Sequence, residues 1–277
     1  MFKIVCKKVL SETLKEFDVL APNVAKNAKA GQFVVVRTDE FSERIPLTIA
    51  ATDLEKGTVK IIFQEIGKST KKLGLLDEGA YIQDFLGPLG NPSEIKNYGN
   101  VVCIGGGVGI AAICPIAKAL KESGNQVVSI IGVRNNKMMM LKNEMENVSD
   151  RIFFTSNDGS LGQKGFVTDV LKEILNSQKV DIIFAVGPLV MMKSVFDLAK
   201  GFDIPVRVSL EVLMLDGIGM CGACRIKHAH EIKFACIDGP EFDAANLDFD
   251  DIANRQKNYL EKEREAMDGF GSSQPLM

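Results

Sequence analysis

The sequence predicts an all-β unit followed by an α/β unit, a small cysteine-loop domain and a helical tail. Three observations carry this. Residues 1–98 read as short strands separated by turn signals, and residues 99–206 alternate apolar strand-like runs with helical stretches. Residues 207–240 then hold three of the six cysteines, all between positions 221 and 236. Residues 241–277 form the tail. A length of 277 residues suits about two domains, and 46% hydrophobic with 25% charged residues describes an ordinary globular chain. A net charge of −3 leaves no basic footprint for nucleic acid or an anionic membrane.

In the first unit, FKIVCKKVL, QFVVVRT, PLTIAAT and TVKIIFQEI alternate or run apolar, with Ala-Gly-Gln, Glu-Lys-Gly and Asp-Glu-Gly turns between them. Evenly spaced short strands predict a small antiparallel barrel, closed by a rigid turn over Leu86–Pro92. From residue 100 the runs NVVCIGG, QVVSIIGV, RIFFTS and VDIIFAVG alternate with helical GIAAICPIAKALKESG and GFVTDVLKEILNSQ. Such alternation predicts a parallel sheet with helices on both faces and ligands at the carboxyl ends of its strands. Residues 101–117 are apolar but short for a membrane span, and Gly105, Gly106, Gly107, Gly109 and Pro115 interrupt them. The tail reads as helical from Phe249 to Ala266, with residues 269–277 loosely ordered. The N-terminus lacks the apolar core and cleavage site of a signal peptide, so a cytoplasmic, reducing compartment is expected. There, clustered cysteines point to metal rather than disulfides, while Cys6, Cys103 and Cys114 lie in apolar strand and helix and read as structural.

Several stretches suit chemistry. Arg44-Ile45-Pro46-Leu47-Thr48 offers a forked cation and a hydroxyl, suited to a phosphate and a heterocycle, although Arg and Thr on a strand are commonly plain surface. Gly67-Lys68-Ser69-Thr70 opens a helix, where backbone amides and hydroxyls can cradle pyrophosphate, or it is a simple turn. Gly105, Gly107 and Gly109 make a glycine-rich strand-to-helix turn. It is not the standard dinucleotide fingerprint, because Ile110 stands where the third glycine belongs. Arg134, Asp158 and Gly187 follow later strands, where an open α/β sheet places its ligand. A ribose-binding Asp158 would repel a 2′-phosphate and favour NADH over NADPH; a turn-capping role is the alternative.

The cysteine segment reads Asp216-x4-Cys221-x2-Cys224-x11-Cys236, close to the C-x4-C-x2-C…C spacing of plant-type [2Fe–2S] proteins with Asp in first place. Gly217, Gly219 and Gly222 loosen the backbone so that ligands can turn inward. A rival is a Cys3His zinc site using His228 or His230, the only two histidines, in a non-enzymatic binding protein. Only one C-x2-C knuckle is present, which ranks zinc below iron–sulfur. A thioredoxin-like role for Cys221 and Cys224 would leave Cys236 unexplained.

Taken in order, these motifs resemble the ferredoxin–NADP reductase superfamily, in its branch with a C-terminal [2Fe–2S] loop. The resemblance spans nearly the whole chain. Within that branch, dihydroorotate dehydrogenase electron-transfer subunits use four cysteines for the cluster. Asp216 departs from that pattern and matches the three-Cys, one-Asp cluster of the small subunits of NADH-dependent ferredoxin:NADP oxidoreductases. The resemblance implies FAD on the barrel, lined by Pro46, Leu47, Thr48, Ile62, Phe63 and Gln64, with Ser69 and Thr70 at its pyrophosphate. It implies the nicotinamide nucleotide at Gly105, Gly107, Gly109 and Gly187, and the cluster on Asp216, Cys221, Cys224 and Cys236. The implied protein is an electron-transfer flavoprotein subunit serving NAD(H), FAD, a [2Fe–2S] cluster and ferredoxin through a larger flavin and iron–sulfur partner. No side chain need act as nucleophile or general acid, because the cofactors carry the chemistry. A dihydroorotate dehydrogenase electron-transfer subunit and a stand-alone flavin reductase without a redox-active cluster are the alternatives within the enzyme class.

Overall fold

The computed structural model describes residues 1–272. Its first unit contains β1 (Phe2–Val9), β2 (Leu14–Leu20), α1 (Pro22–Asn27), β3 (Phe33–Arg37), β4 (Ile45–Thr48), β5 (Ala51–Asp53), β6 (Thr58–Gln64), α2 (Lys68–Gly74), β7 (Tyr81–Ile82) and β8 (Asp84–Leu89). The strands form two antiparallel sheets, β5-β6-β2-β1-β7 and β4-β3-β8, sharing a core of Phe17, Val34, Val36, Ile61, Phe63 and Phe85. Strand β2 is missing from the sequence reading because Lys15 and Glu16 mask its alternation. Both are buried, and their charges are met across the sheet: Lys15 pairs with Glu65 at 3.2 Å, and Glu16 with Lys8 and Lys60. The segment expected as a closing turn instead completes β8. It pairs with β3 through an irregularity between Phe33 and Val35, next to Gly87 and Pro88, where proline has no N–H to give the ladder.

The second unit contains β9 (Asn100–Gly106), α3 (Gly109–Glu122), β10 (Gln126–Val133), α4 (Lys142–Val148), β11 (Arg151–Ser156), β12 (Gln163–Lys164), α5 (Val167–Ser177), β13 (Ile182–Val186), α6 (Leu189–Lys200) and β14 (Val206–Ser209). After it come β15 (Arg225–His228), β16 (Glu231–Phe234), β17 (Glu241–Asp243), α7 (Phe249–Lys257) and α8 (Leu260–Ser272). The large sheet runs β12-β11-β10-β9-β13-β14-β17, parallel except for β17. Helices cover both faces, so β9 and β13 are apolar throughout their buried length. The sheet extends past the expected boundary at residue 206, and β17 returns to it from what the sequence reads as tail. The tail itself is two helices, and α8 continues to Ser272 and packs on α2 of the first unit. That corrects the expectation of a loose end from residue 269; residues 273–277 lie outside the described residues. Among the described residues, no helix is long and apolar enough to cross a membrane.

Strand order reverses between β9 and β13, and the loops after these strands lie against each other. A side chain on Gly109 would stand 2.3 Å from the Val186 carbonyl oxygen, and one on Gly187 would stand 2.9 Å from the Gly106 oxygen. Backbone faces backbone here, so neither neighbour can yield. Gly107 differs: its φ is +55° and nothing lies within 4 Å of an added Cβ. Gly109→Ala is therefore expected to destabilise the chain by about 1–3 kcal/mol, read as a lower urea midpoint. Gly107→Asn, which tolerates left-handed backbone, should stay near neutral. Equal losses in both variants would show that close approach to Val186 is not the constraint.

Candidate redox site

The cysteine segment leaves β14 and turns on three glycines with positive φ: Gly217 at +75°, Gly219 at +82° and Gly222 at +69°. Gly217 lies flat on the first unit, where an added Cβ would meet Leu89 Cδ1 at 2.7 Å and Val35 Cγ2 at 3.0 Å. Asp216 organises the turn. Its carboxylate accepts the main-chain N–H groups of Ile218 at 3.0 Å, Met220 at 2.9 Å and Cys221 at 2.6 Å. Partial burial pushes its pKa up, but these hydrogen bonds, with one from the Cys221 thiol, outweigh that and hold the carboxyl below the usual range. Cys224 and Cys236 are buried beside each other, while Cys221 is exposed. Burial first, then the neighbouring Cys224 thiol, pushes Cys236 up to about 12.

The four expected ligands thus stand as two pairs, Asp216 with Cys221 and Cys224 with Cys236. Among the described residues, no three His, Cys, Asp or Glu side chains gather as a site for a single metal ion. Two pairs suit a two-iron cluster, in which each iron takes two protein ligands, better than one tetrahedral zinc. The histidines are elsewhere. His228 ends β15 against the Phe242 ring, with centroids 5.6 Å apart, and exposed His230 sits in the hairpin turn beyond Ala229, whose φ is +52°. His228 is therefore on the strand and His230 is not. At about 3.3 Å per residue the hairpin carries them well away from Cys224.

At the carboxyl ends of the large sheet, Gly105, Gly107, Gly109 and Gly187 come together as expected. Gly105 is packed against Ile113 and Ile131, so it serves helix–strand packing, and Gly107 faces open space. Arg134 is exposed beyond β10. Asp158 caps its own turn: one oxygen accepts from the Ser160 N–H at 2.9 Å and the Ser160 hydroxyl at 2.7 Å. Those bonds lower its pKa. A cavity of about 240 Å³ adjoins Gly187, lined also by Pro188, Leu189, Leu210, Glu211 and Gln256. Glu211 is absent from the sequence reading, because a lone acid after a buried strand carries no motif. Its surroundings raise its pKa by desolvation, although solvent reaches the side chain through the cavity.

On the first unit, Pro46, Leu47 and Thr48 are half-buried along β4. Arg44 reaches Asp84 at 3.6 Å, and its Nε is buried without a hydrogen-bond partner among the described residues, leaving a donor for an anion. Ile62 turns toward Leu14 and Ala50 under the second unit, and Gln64 is half-buried at the end of β6. Phe63 is on the opposite face, edge-on to Phe17 with centroids 5.2 Å apart in the core. It can offer main chain to a flavin but not its ring, which corrects its expected place in the lining. Thr70 spends its hydroxyl on the start of α2, accepting from Gly67 N at 3.1 Å and donating to Gly67 O at 3.0 Å. Ser69 donates to Glu43 at 3.0 Å. With the Lys72–Asp39 pair at 2.6 Å, this ties α2 to the loop before Arg44.

Two family models match the chain: the iron-sulfur cluster binding domain of dihydroorotate dehydrogenase B over residues 211–248, and the oxidoreductase NAD-binding domain over residues 103–197. An electron transfer subunit homolog of dihydroorotate dehydrogenase B (NAD(+)) from Thermotoga maritima is 46% identical over 268 residues, covering 97% of this chain and 95% of that protein. The corresponding subunit from Desulforamulus reducens is 32% identical, covering 82% and 88%. A solved structure of NADH-dependent reduced ferredoxin-NADP oxidoreductase, studied for flavin-based electron bifurcation, is 45% identical with a TM-score of 0.93 over 98% of both chains. With the two-pair cysteine loop seated beside a nucleotide-binding sheet, the chain belongs to the family of electron transfer subunits of the dihydroorotate dehydrogenase B type.

Proposed function

We propose that this chain relays electrons between NADH and a larger flavin and iron–sulfur subunit, through FAD on the first unit and a [2Fe–2S] cluster on the cysteine loop. When bound, these groups supply the conversion of a two-electron hydride into single-electron steps. The observation that carries the reading is the contact of Gly217 with Val35 and Leu89. Val35 is paired with Pro46 on β4, so the ligand loop and the half-buried Pro46-Leu47-Thr48 edge meet across one strand. We assign residues 1–98 to a flavin-binding barrel made of the two antiparallel sheets. The nucleotide unit is 99–206 with β14 and β17 added to its sheet, the cluster loop lies within 207–240, and the tail lies beyond.

Within this reading, Arg44 holds a phosphate, while Pro46, Leu47, Thr48, Gln64 and the main chain at Ile62 and Phe63 position the flavin. Ser69 and the Gly67 turn serve its pyrophosphate. Gly107 and the crevice at Gly187 admit NADH, with Arg134 at its phosphates. Asp158, held to Ser160 through one oxygen, binds a ribose hydroxyl. The four loop ligands hold the cluster, and Asp216 in first place favours the ferredoxin-linked branch over the four-cysteine dihydroorotate branch. Around them Leu213, Leu215, Ile218, Met220, Ile232 and Ile237 are 40–83% exposed. Six large apolar side chains around one exposed ligand loop suit a protein contact. We assign this rim to the larger subunit, since α8 already has α2 of its own chain to pack on.

Absorbance and EPR spectra of protein purified without oxygen, before and after NADH, test the reading. Flavin bands and a rhombic S = ½ signal on reduction are expected; flavin without the signal would demote the loop to a zinc or vestigial site. Asp216→Cys should move the cluster's potential by at least about tenfold in its reduction equilibrium, about 59 mV for one electron. An unchanged titration curve counts against ligation by Asp216. Replacing Met220 by Glu should weaken assembly with the larger subunit by about tenfold or more, or about 1.4 kcal/mol. Unaltered affinity by sedimentation would move the interface elsewhere.

A further inference from the structure

Helix α7 grips the cysteine segment at three points. Gln256 Nε2 donates to the Glu211 carbonyl at 2.9 Å, Asp251 pairs with Lys227 at 2.8 Å, and Arg255 Nη2 donates to the Ala223 carbonyl at 3.1 Å. Ala223 stands between Cys221 and Cys224, inside the knuckle itself. The preceding carbonyl, Gly222, receives a longer contact from Arg225 Nη1 at 3.5 Å. Two guanidinium groups therefore bracket the knuckle, and among the described residues neither forms an ion pair. Arg255 is the better held. It is half-buried, and its helix is pinned by buried Phe249 and Ile252.

Net charge around an iron–sulfur cluster, hydrogen bonding and solvent exposure set its potential. Reduction adds one negative charge, so a fixed cation beside the ligands stabilises the reduced form more than the oxidised one. Arginine stays charged at every working pH and lies in one plane, so it can hold a carbonyl and present its charge at once. A cluster held by Asp216 and three thiolates would carry net negative charge, so a cation that forms no ion pair among the described residues has a direct electrostatic effect there. We propose that Arg255 is a positioning residue for the cluster: it fastens the Cys221–Cys224 turn to α7 and raises the cluster's reduction potential through its charge. This rests on the cluster reading above, and it gives the C-terminal segment a part in electron transfer rather than only in packing.

The test is an anaerobic, EPR-monitored redox titration of the full chain as wild type, Arg255→Gln and Arg255→Lys, with iron content and flavin potential measured alongside. Gln can still donate to the Ala223 carbonyl but carries no charge. Its cluster potential should fall by about tenfold in the reduction equilibrium, about 59 mV for one electron. The Lys variant should keep most of the wild-type value, and the flavin potential should not move in either. A Gln variant at wild-type potential overturns the proposal. So does a Lys variant that falls as far as Gln, because charge would then not be the agent. Loss of iron from Arg255→Gln also overturns it, by making the arginine a structural bolt alone. Absence of any signal from reduced wild-type protein would instead sink the cluster reading itself.

Discussion

The contact between Gly217 and the β3–β8 edge is the constraint on which the arrangement turns. Glycine is required twice there, once for its φ of +75° and once because a methyl group would collide with Leu89 and Val35. With that seat made, the three parts of the chain share a core. Phe33 and Val35 from β3, Val208 from β14, Met214 from the loop, and Cys224 and Cys236 fall in one buried cluster. The connecting segment is bound from both sides. Gln32 donates to the Gly90 carbonyl at 2.8 Å, Asn91 N to the Gly239 carbonyl at 2.6 Å, and the Ser93 hydroxyl to Glu241 at 2.7 Å. Each such bond contributes only about 1 kcal/mol net, but together they remove the freedom of a linker. Electron transfer between groups on separate units needs that fixed spacing.

The ligand loop is held by polar atoms rather than by packing alone. Asp216 satisfies three main-chain N–H groups that would otherwise be unpaired in a glycine-rich turn. The same hydrogen bonds favour its ionised form. Cys236 has the opposite preference: burial first, then the neighbouring Cys224 thiol, raises its pKa. Glycines do comparable work at the nucleotide crevice. Gly109 and Gly187 let two loops approach through bare backbone, which brings the turn after β9 to the point where strand order reverses.

Much of this was legible in the residues alone. Strand–helix alternation after residue 99 implied the parallel sheet because each βα unit must bury two faces of a strand and one of a helix. The spacing of Asp216, Cys221, Cys224 and Cys236 implied a cluster loop because ligand geometry demands short, glycine-rich intervals. What stayed hidden depends on residues far apart in the chain. Strand β2 was obscured because its charged pairs lie across the sheet. Phe63 was misplaced because a one-residue change of face on β6 separates Ile62 and Gln64 from the core that holds Phe17 and Phe63. The turn at Leu86–Pro92 became strand because β3 supplied a partner. Arg255 had no motif at all; its importance arises only when α7 folds back over the knuckle. The sequence by itself determined the order of units, the spacing of Asp216 and the three cysteines, and the glycines, since these follow from local spacing and backbone freedom. Only the tertiary structure decided which surfaces meet, because non-local packing, and not periodicity, brings Gly217 onto Val35 and Arg255 onto Ala223.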